Sequence, residues 1–133
     1  SILAGVGHPK ENEPADPNNY NREANKEFIS DIMSRIEHRF PKLRGSKVTS
    51  HWAGLYTITP DWNTMVGPTS EIEGLYLGVG GSGHSFKLGP AIGMCLADLI
   101  AQGASNQIDI SPLSPDRFSK GVPLRSTYGG NRG

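Results

Sequence analysis

Leu75-Tyr-Leu-Gly-Val-Gly-Gly-Ser-Gly-His-Ser-Phe-Lys-Leu-Gly-Pro90 is the stretch on which the reading of this chain turns. A short apolar run feeds a glycine cluster, and the cluster feeds an amphipathic segment that ends near Gln102. Strand, glycine turn and helix, in that order, bring bare backbone N–H groups and a positive helix end to an anionic or electron-rich ligand. His84 and Lys87 lie inside the turn, so the same element can supply proton transfer or a cation.

The helix predicted after the turn carries Ala91, Ile92, Cys95, Leu96, Leu99 and Ile100 on one face, and Gly103 stands where a helix stop belongs. Upstream, Leu75–Val79 reads as a buried strand and Met65–Pro68 as a shorter one that Pro68 ends. Glu71–Gly74 and Thr59–Asn63 read as turns, with the Asp61 carboxylate fixing the second. Val48–Thr59 is rich in aromatic and β-branched residues and reads as a strand interrupted near Ala53-Gly54.

The clearest helix by periodicity runs from about Asn21 to Phe40, with Phe28, Ile29, Ile32, Met33, Ile36 and Phe40 at helical spacing. Asn21 is the expected N-cap, and Pro41 blocks continuation. Its charged opposite face reads as solvated. Before it, His8–Tyr20 is a polar loop and Ile2–Val6 a short apolar strand. A strand at the second residue implies chain before it. After Ser111 the sequence turns rich in Pro, Ser, Gly and Arg, and Gly121–Gly133 reads as a flexible tail.

Composition narrows the function classes. The 133 residues suit one modest core, and 13 basic residues balance 13 acidic ones. No bulk charge drives nucleic-acid or membrane-surface binding. No apolar run approaches the roughly 20 residues of a membrane span. One cysteine, Cys95, cannot form an internal disulfide, and its place on the apolar helix face reads as packing. A reducing compartment, the cytoplasm or an organelle matrix, is expected. His8, His38 and His51 lack metal-ligand spacing, so no metal site is expected. Ser82 and Ser85 lie near His84, but Gly-Gly-Ser-Gly does not have the spacing of a nucleophile elbow.

The glycine turn admits two nucleotide readings. Gly78, Gly80 and Gly83 fit the dinucleotide fingerprint in register, after a strand and before a helix. Against it, His84–Gly89 separates the third glycine from the helix. The second strand of such a unit has only Ile108-Asp-Ile110 available, cut short by Pro112.

The other reading rests on several motifs together. Trp52-Ala-Gly-Leu-Tyr-Thr-Ile-Thr-Pro-Asp61, Val66-Gly-Pro68, Gly74-Leu-Tyr-Leu77 and Gly81-Ser-Gly-His-Ser-Phe-Lys87 closely resemble, in order and spacing, the C-terminal part of FAD-dependent amine and amino-acid oxidoreductases. This is the D-amino-acid-oxidase-like superfamily, and the sarcosine oxidase and dimethylglycine dehydrogenase branch looks nearest. The resemblance is strong over residues 49–102 and weaker over 1–46.

It implies a mixed α+β and α/β architecture: the C-terminal segment of a Rossmann-like FAD domain with part of an antiparallel substrate-domain sheet. Residues 1–60 would belong to the substrate domain, 61–120 to the flavin-ring side and 121–133 to the tail. In such enzymes a separate N-terminal portion holds the ADP half of FAD. The loop matching Gly80, Gly81, Ser82, Gly83, His84, Ser85, Phe86 and Lys87 lies beside the flavin ring. Lys87 matches a lysine that contacts the substrate carboxylate, and His84 one that lines the same pocket. On position alone, Lys87 is a solvated side chain and His84 a structural histidine. Tyr56 maps near the substrate side, although an aromatic at such a place also serves a core. Gly54 stands where some relatives attach FAD through a cysteine, so FAD would be non-covalent there.

The resulting expectation is a segment of an enzyme that oxidises the C–N bond of a secondary or tertiary amine or amino acid. It would be inactive without an N-terminal half or partner chain. The alternative is a non-catalytic assembly module that keeps the glycine turn for packing and self-associates through open strand edges.

Overall fold

The computed structural model describes residues 2–5 and 14–125. The chain divides into two compact units, Ser1–Leu55 and Tyr56–Gly133.

In the first unit the main element is helix α1, Lys26–Arg39. Its N-cap lies four residues later than the sequence predicts. Asn25, not Asn21, is the N-cap: its Oδ1 accepts from the Phe28 N–H at 2.7 Å. Asn21 instead accepts from the Glu23 N–H at 3.0 Å, a local turn that keeps residues 21–24 out of the helix. Glu27 in the first turn and His38 and Arg39 in the last suit the helix dipole. Phe40 closes the helix, and Pro41–Leu43 forms a single short turn beyond it. An exposed Arg35–Asp31 pair at 2.8 Å contributes about 0.3–0.5 kcal/mol.

Two expected strands are not formed. Residues 2–5 have no regular structure, and Val6 lies outside the described residues, as does His8. Residues 46–59 are likewise irregular. Single backbone bonds hold this stretch, Ala53 N–H to Arg22 and Thr57 C=O from Ser82, rather than a ladder with a partner strand. β-Branched and aromatic content marks a stretch that can be a strand, but only a neighbour's row of donors and acceptors makes it one.

The second unit is α+β. Strands β1 (Met65–Pro68) and β2 (Tyr76–Val79) pair antiparallel, with Val66 opposite Gly78 and Gly67 opposite Leu77. Both fall where the sequence predicts them. Helix α2 spans Gly89–Gln102, and Gly103 ends it in the left-handed conformation at φ 79°.

α2 lies on the pair of strands. A Cβ at Gly78 would sit 3.1 Å from Leu96 Cδ1, so glycine there permits the close approach of helix to strand. Val66, Cys95 and Ile110 form the buried core, flanked by Ile92, Leu96, Leu99 and Leu113. Burying one such side chain contributes about 1.5–3 kcal/mol. Cys95 packs there as its place in the helical pattern predicts.

The complete dinucleotide unit is absent among the described residues: the strands run antiparallel, and Ile108-Asp-Ile110 forms no strand but delivers Ile110 to the core. Of the predicted tail, residues 126–133 lie outside the described residues. The Leu124 N–H is tied to Asp61 at 2.9 Å. No described helix is long and apolar enough to cross a membrane.

Candidate functional site: the glycine loop and its support

β2 ends at Val79 and the chain then reverses through three left-handed residues, Gly80 (φ 70°), Ser82 (φ 46°) and Gly83 (φ 82°). Gly80 is obligatory on two counts. Its φ disfavours any Cβ, and a Cβ would lie 2.4 Å from Thr59 Cγ2. Consecutive turns over Ser82–Leu88 then carry the chain into α2.

The loop residues divide between those that face outward and those that hold the loop. Phe86 is fully exposed, and Lys87 is exposed immediately before α2. His84 is half-buried. Its backbone N–H bonds the Gly81 carbonyl at 2.9 Å, and Nδ1, when protonated, donates to the same oxygen at 3.4 Å. Ser85 Oγ also donates to Gly81 O, at 3.3 Å. The Tyr56 ring lies over Gly83, 3.4 Å from the position of a Cβ there, and Tyr56 is otherwise exposed. The structure thus gathers Tyr56, Gly83 and His84 at one loop. Gly54 belongs to the first unit and has open space around its Cα.

Ser82 turns inward and is 2% exposed. Its hydroxyl accepts from the Thr59 N–H at 3.2 Å and sits 3.3 Å from both Thr59 Oγ1 and the Gly80 carbonyl. Its own N–H donates to Thr57 O at 3.0 Å. The side chain is therefore a brace beneath the loop rather than part of its outer surface.

Beneath Ser82 lies a buried polar cluster that sequence reasoning reached only at Asp61. Arg117 and Asp61 side chains are 2% and 3% exposed and meet in a two-pronged pair, Nε–Oδ2 at 2.8 Å and an Nη–Oδ1 bond at 2.9 Å. The guanidinium also donates to the carbonyls of Leu113 (2.9 Å), Ser114 (3.1 Å) and Asn63 (2.7 Å). Burial by itself would raise the Asp61 carboxyl. Hydrogen bonds from Arg117 and from the backbone N–H groups of Leu124 and Asn63, with the guanidinium charge, hold it well below the usual carboxylate range. Nothing local marks Arg117: it sits in Ser-Pro-Asp-Arg-Phe, without periodicity or motif.

The outward side suits an electron-rich group. α2 starts at Gly89-Pro90 without a side-chain cap and without an acidic residue in its first turn, so no carboxylate offsets its positive end. Pro90 carries no N–H to orphan. Lys87 adds a cation at the same end. Among the described residues no cluster of His, Cys, Asp and Glu could hold a metal ion.

Comparison with known proteins agrees with the motif resemblance at the level of the FAD-dependent oxidoreductase family. The sequence profile of the family "FAD dependent oxidoreductase" matches residues 2–99. The FAD-dependent oxidoreductase domain-containing protein 1 of Bos taurus is 35% identical over 116 residues, 86% of this chain and 24% of that protein. Glycine oxidase of Pseudomonas putida is 30% identical over 97 residues, 73% of this chain and 26% of the enzyme. Sarcosine oxidase subunit beta of Rhizobium meliloti is also 30% identical, over 104 residues. Among solved structures, L-proline dehydrogenase from P. horikoshii superposes with a TM-score of 0.72 at 31% identity, over 82% of this chain and 29% of that one. The chain spans about a quarter of the length of these relatives. By the match over residues 2–99, this chain belongs to the FAD dependent oxidoreductase family.

Proposed function

We propose that this chain forms the flavin-ring and substrate end of a non-covalent FAD site in an enzyme that oxidises the C–N bond of a small amine or amino acid. The observation that carries this reading is the outward loop Gly81–Lys87, set against the uncapped positive end of α2. FAD would supply a hydride acceptor for the carbon next to the substrate nitrogen, with an imine from a secondary amine or an iminium from a tertiary one left for water to hydrolyse.

The chain's own residues supply position and charge. The α2 N-terminus and the loop backbone favour negative charge on the adjacent ring. Lys87 would bind the substrate carboxylate and fix the orientation of its C–H bond. His84, held through Gly81, lines the same side, and the exposed edge of Tyr56 would border the substrate. The ADP half of FAD would be held by a partner chain or N-terminal half, and catalysis would require it. The sarcosine and dimethylglycine branch supplies the preferred substrates: small amino acids with a secondary or tertiary nitrogen. A reducing compartment, the cytoplasm or an organelle matrix, is the proposed location.

The test uses FAD together with a chain that completes its site, mixed without oxygen with sarcosine, dimethylglycine, glycine or proline. Bleaching of the oxidised flavin by an N-methylated substrate, weakened at least tenfold in Lys87→Met, is the expected result. No bleaching by any of the four would overturn the reading.

A further inference from the structure

We propose that the buried Asp61–Arg117 pair is a positioning device that sets the backbone of the glycine loop, with Thr59 as its intermediary. The functional meaning of this device rests on the loop being the flavin-facing element. Its structural content stands on the hydrogen bonds alone.

The path begins at Arg117. Its guanidinium donates to the Asn63 carbonyl at 2.7 Å, while Asp61 Oδ1 accepts the Asn63 N–H at 3.1 Å. The pair therefore grips both backbone groups of Asn63. The same Asn63 carbonyl accepts from Thr59 Oγ1 at 2.8 Å. Thr59 has one hydroxyl proton and two acceptors in reach, Asn63 O at 2.8 Å and Asp61 Oδ1 at 3.3 Å. The shorter bond takes it. That leaves the Thr59 oxygen as an acceptor for the single Ser82 hydroxyl proton at 3.3 Å, alongside the Gly80 carbonyl at the same distance.

Thr59 then holds the loop at three points. Its N–H bonds Ser82 Oγ, its hydroxyl faces the same oxygen, and its methyl presses on Gly80, where no Cβ fits. Ser82 is a non-glycine residue at φ 46°, a strained conformation that persists only where neighbours over-determine it. Those neighbours are Thr59 and Thr57.

Among the described residues of the second unit, Thr59, Ser82 and Arg117 are the three buried polar ones, and the cluster joins all of them. Arg117 and Leu124 both lie beyond the stretch matched by the family profile, so the loop is fixed from a part of the chain remote in sequence. A buried pair of this kind gives little net stability over apolar residues of similar volume, and specifying one local geometry is the role best suited to it.

The test is amide hydrogen exchange and NMR on the full 133-residue chain without cofactor. The Ser82 N–H, bonded to Thr57 O, is the reporter, and the α2 amides are the internal reference. Thr59→Val, Asp61→Asn and Arg117→Lys are expected to speed Ser82 exchange at least tenfold relative to α2 and to shift the Ser82–His84 amides. Thr59→Ser, which keeps the N–H and hydroxyl and loses only the methyl against Gly80, is expected to stay closer to the wild-type pattern than to Thr59→Val. Asp61→Asn preserves the shape of the side chain and decides the matter should Arg117→Lys unfold.

Unchanged Ser82 exchange in Asp61→Asn and Thr59→Val would overturn the proposal. So would an effect spread evenly over the sheet and α2, or a Thr59→Ser variant indistinguishable from Thr59→Val. Failure of the chain to bind FAD is a separate result, because no arm of this experiment uses the cofactor.

Discussion

Gly80 and Asp61 carry the sharpest consequences of single atoms. Gly80→Ala adds a methyl at 2.4 Å from Thr59 Cγ2 in a left-handed conformation, and strain and overpacking together should cost about 2–4 kcal/mol. Gly54→Ala meets nothing within 4 Å and should change stability by less than about 0.5 kcal/mol. Urea unfolding of both variants beside the parent chain separates the two expectations. Asp61 titrates below the ordinary carboxylate range, so its contribution is fully present above the unfolded-state value of about 3.9 and is lost as pH falls below it. Urea midpoints measured from pH 5 down to pH 2 should therefore fall steeply in the parent chain. They should fall less in Asp61→Asn, which has no carboxylate to protonate at that position. A parallel decline would show that other carboxylates govern acid unfolding.

At the scale of elements, the sequence was legible where a local rule decides and illegible where a partner does. β1, β2, the body of α2 and its Gly103 stop follow from apolar runs punctuated by proline and glycine. The start of α1 was misplaced because Asn21 and Asn25 are equally good caps on paper, and only the Asn21 turn to Glu23 removes the first from competition. Asn25→Ala should cost about 1 kcal/mol and lower helical circular dichroism, while Asn21→Ala should leave the helix intact. Equal effects would move the helix start back to Asn21. The Val48–Thr59 strand failed for want of a ladder, which no property of its own residues encodes. At the site, the glycine loop, His84 and Lys87 were visible as a motif, whereas the support beneath them was not. Asp61 and Arg117 are 56 residues apart, and neither lies in a pattern that points to the other.

At the scale of the whole molecule, the described residues expose more large hydrophobic side chains than they bury. Among the described residues three hydrophobic ones are buried, whereas Phe86, Met94 and Ile100 are more than half exposed. Met94 and Ile100 lie on a helix with a single charged residue, Asp98, and under the proposed function this exposed face would meet the chain that completes the FAD site. It accords with a segment spanning about a quarter of its relatives. Under the proposed function the loop and the α2 N-terminus would meet the ring end of FAD rather than its phosphates. The most direct measurement titrates the ¹⁵N-labelled chain with riboflavin and, separately, with ADP, following the amides from Gly80 to Ile92. Riboflavin should shift these amides at millimolar concentration and ADP should leave them in place. Shifts caused by ADP and not by riboflavin would contradict the account and return the loop to a phosphate-binding role.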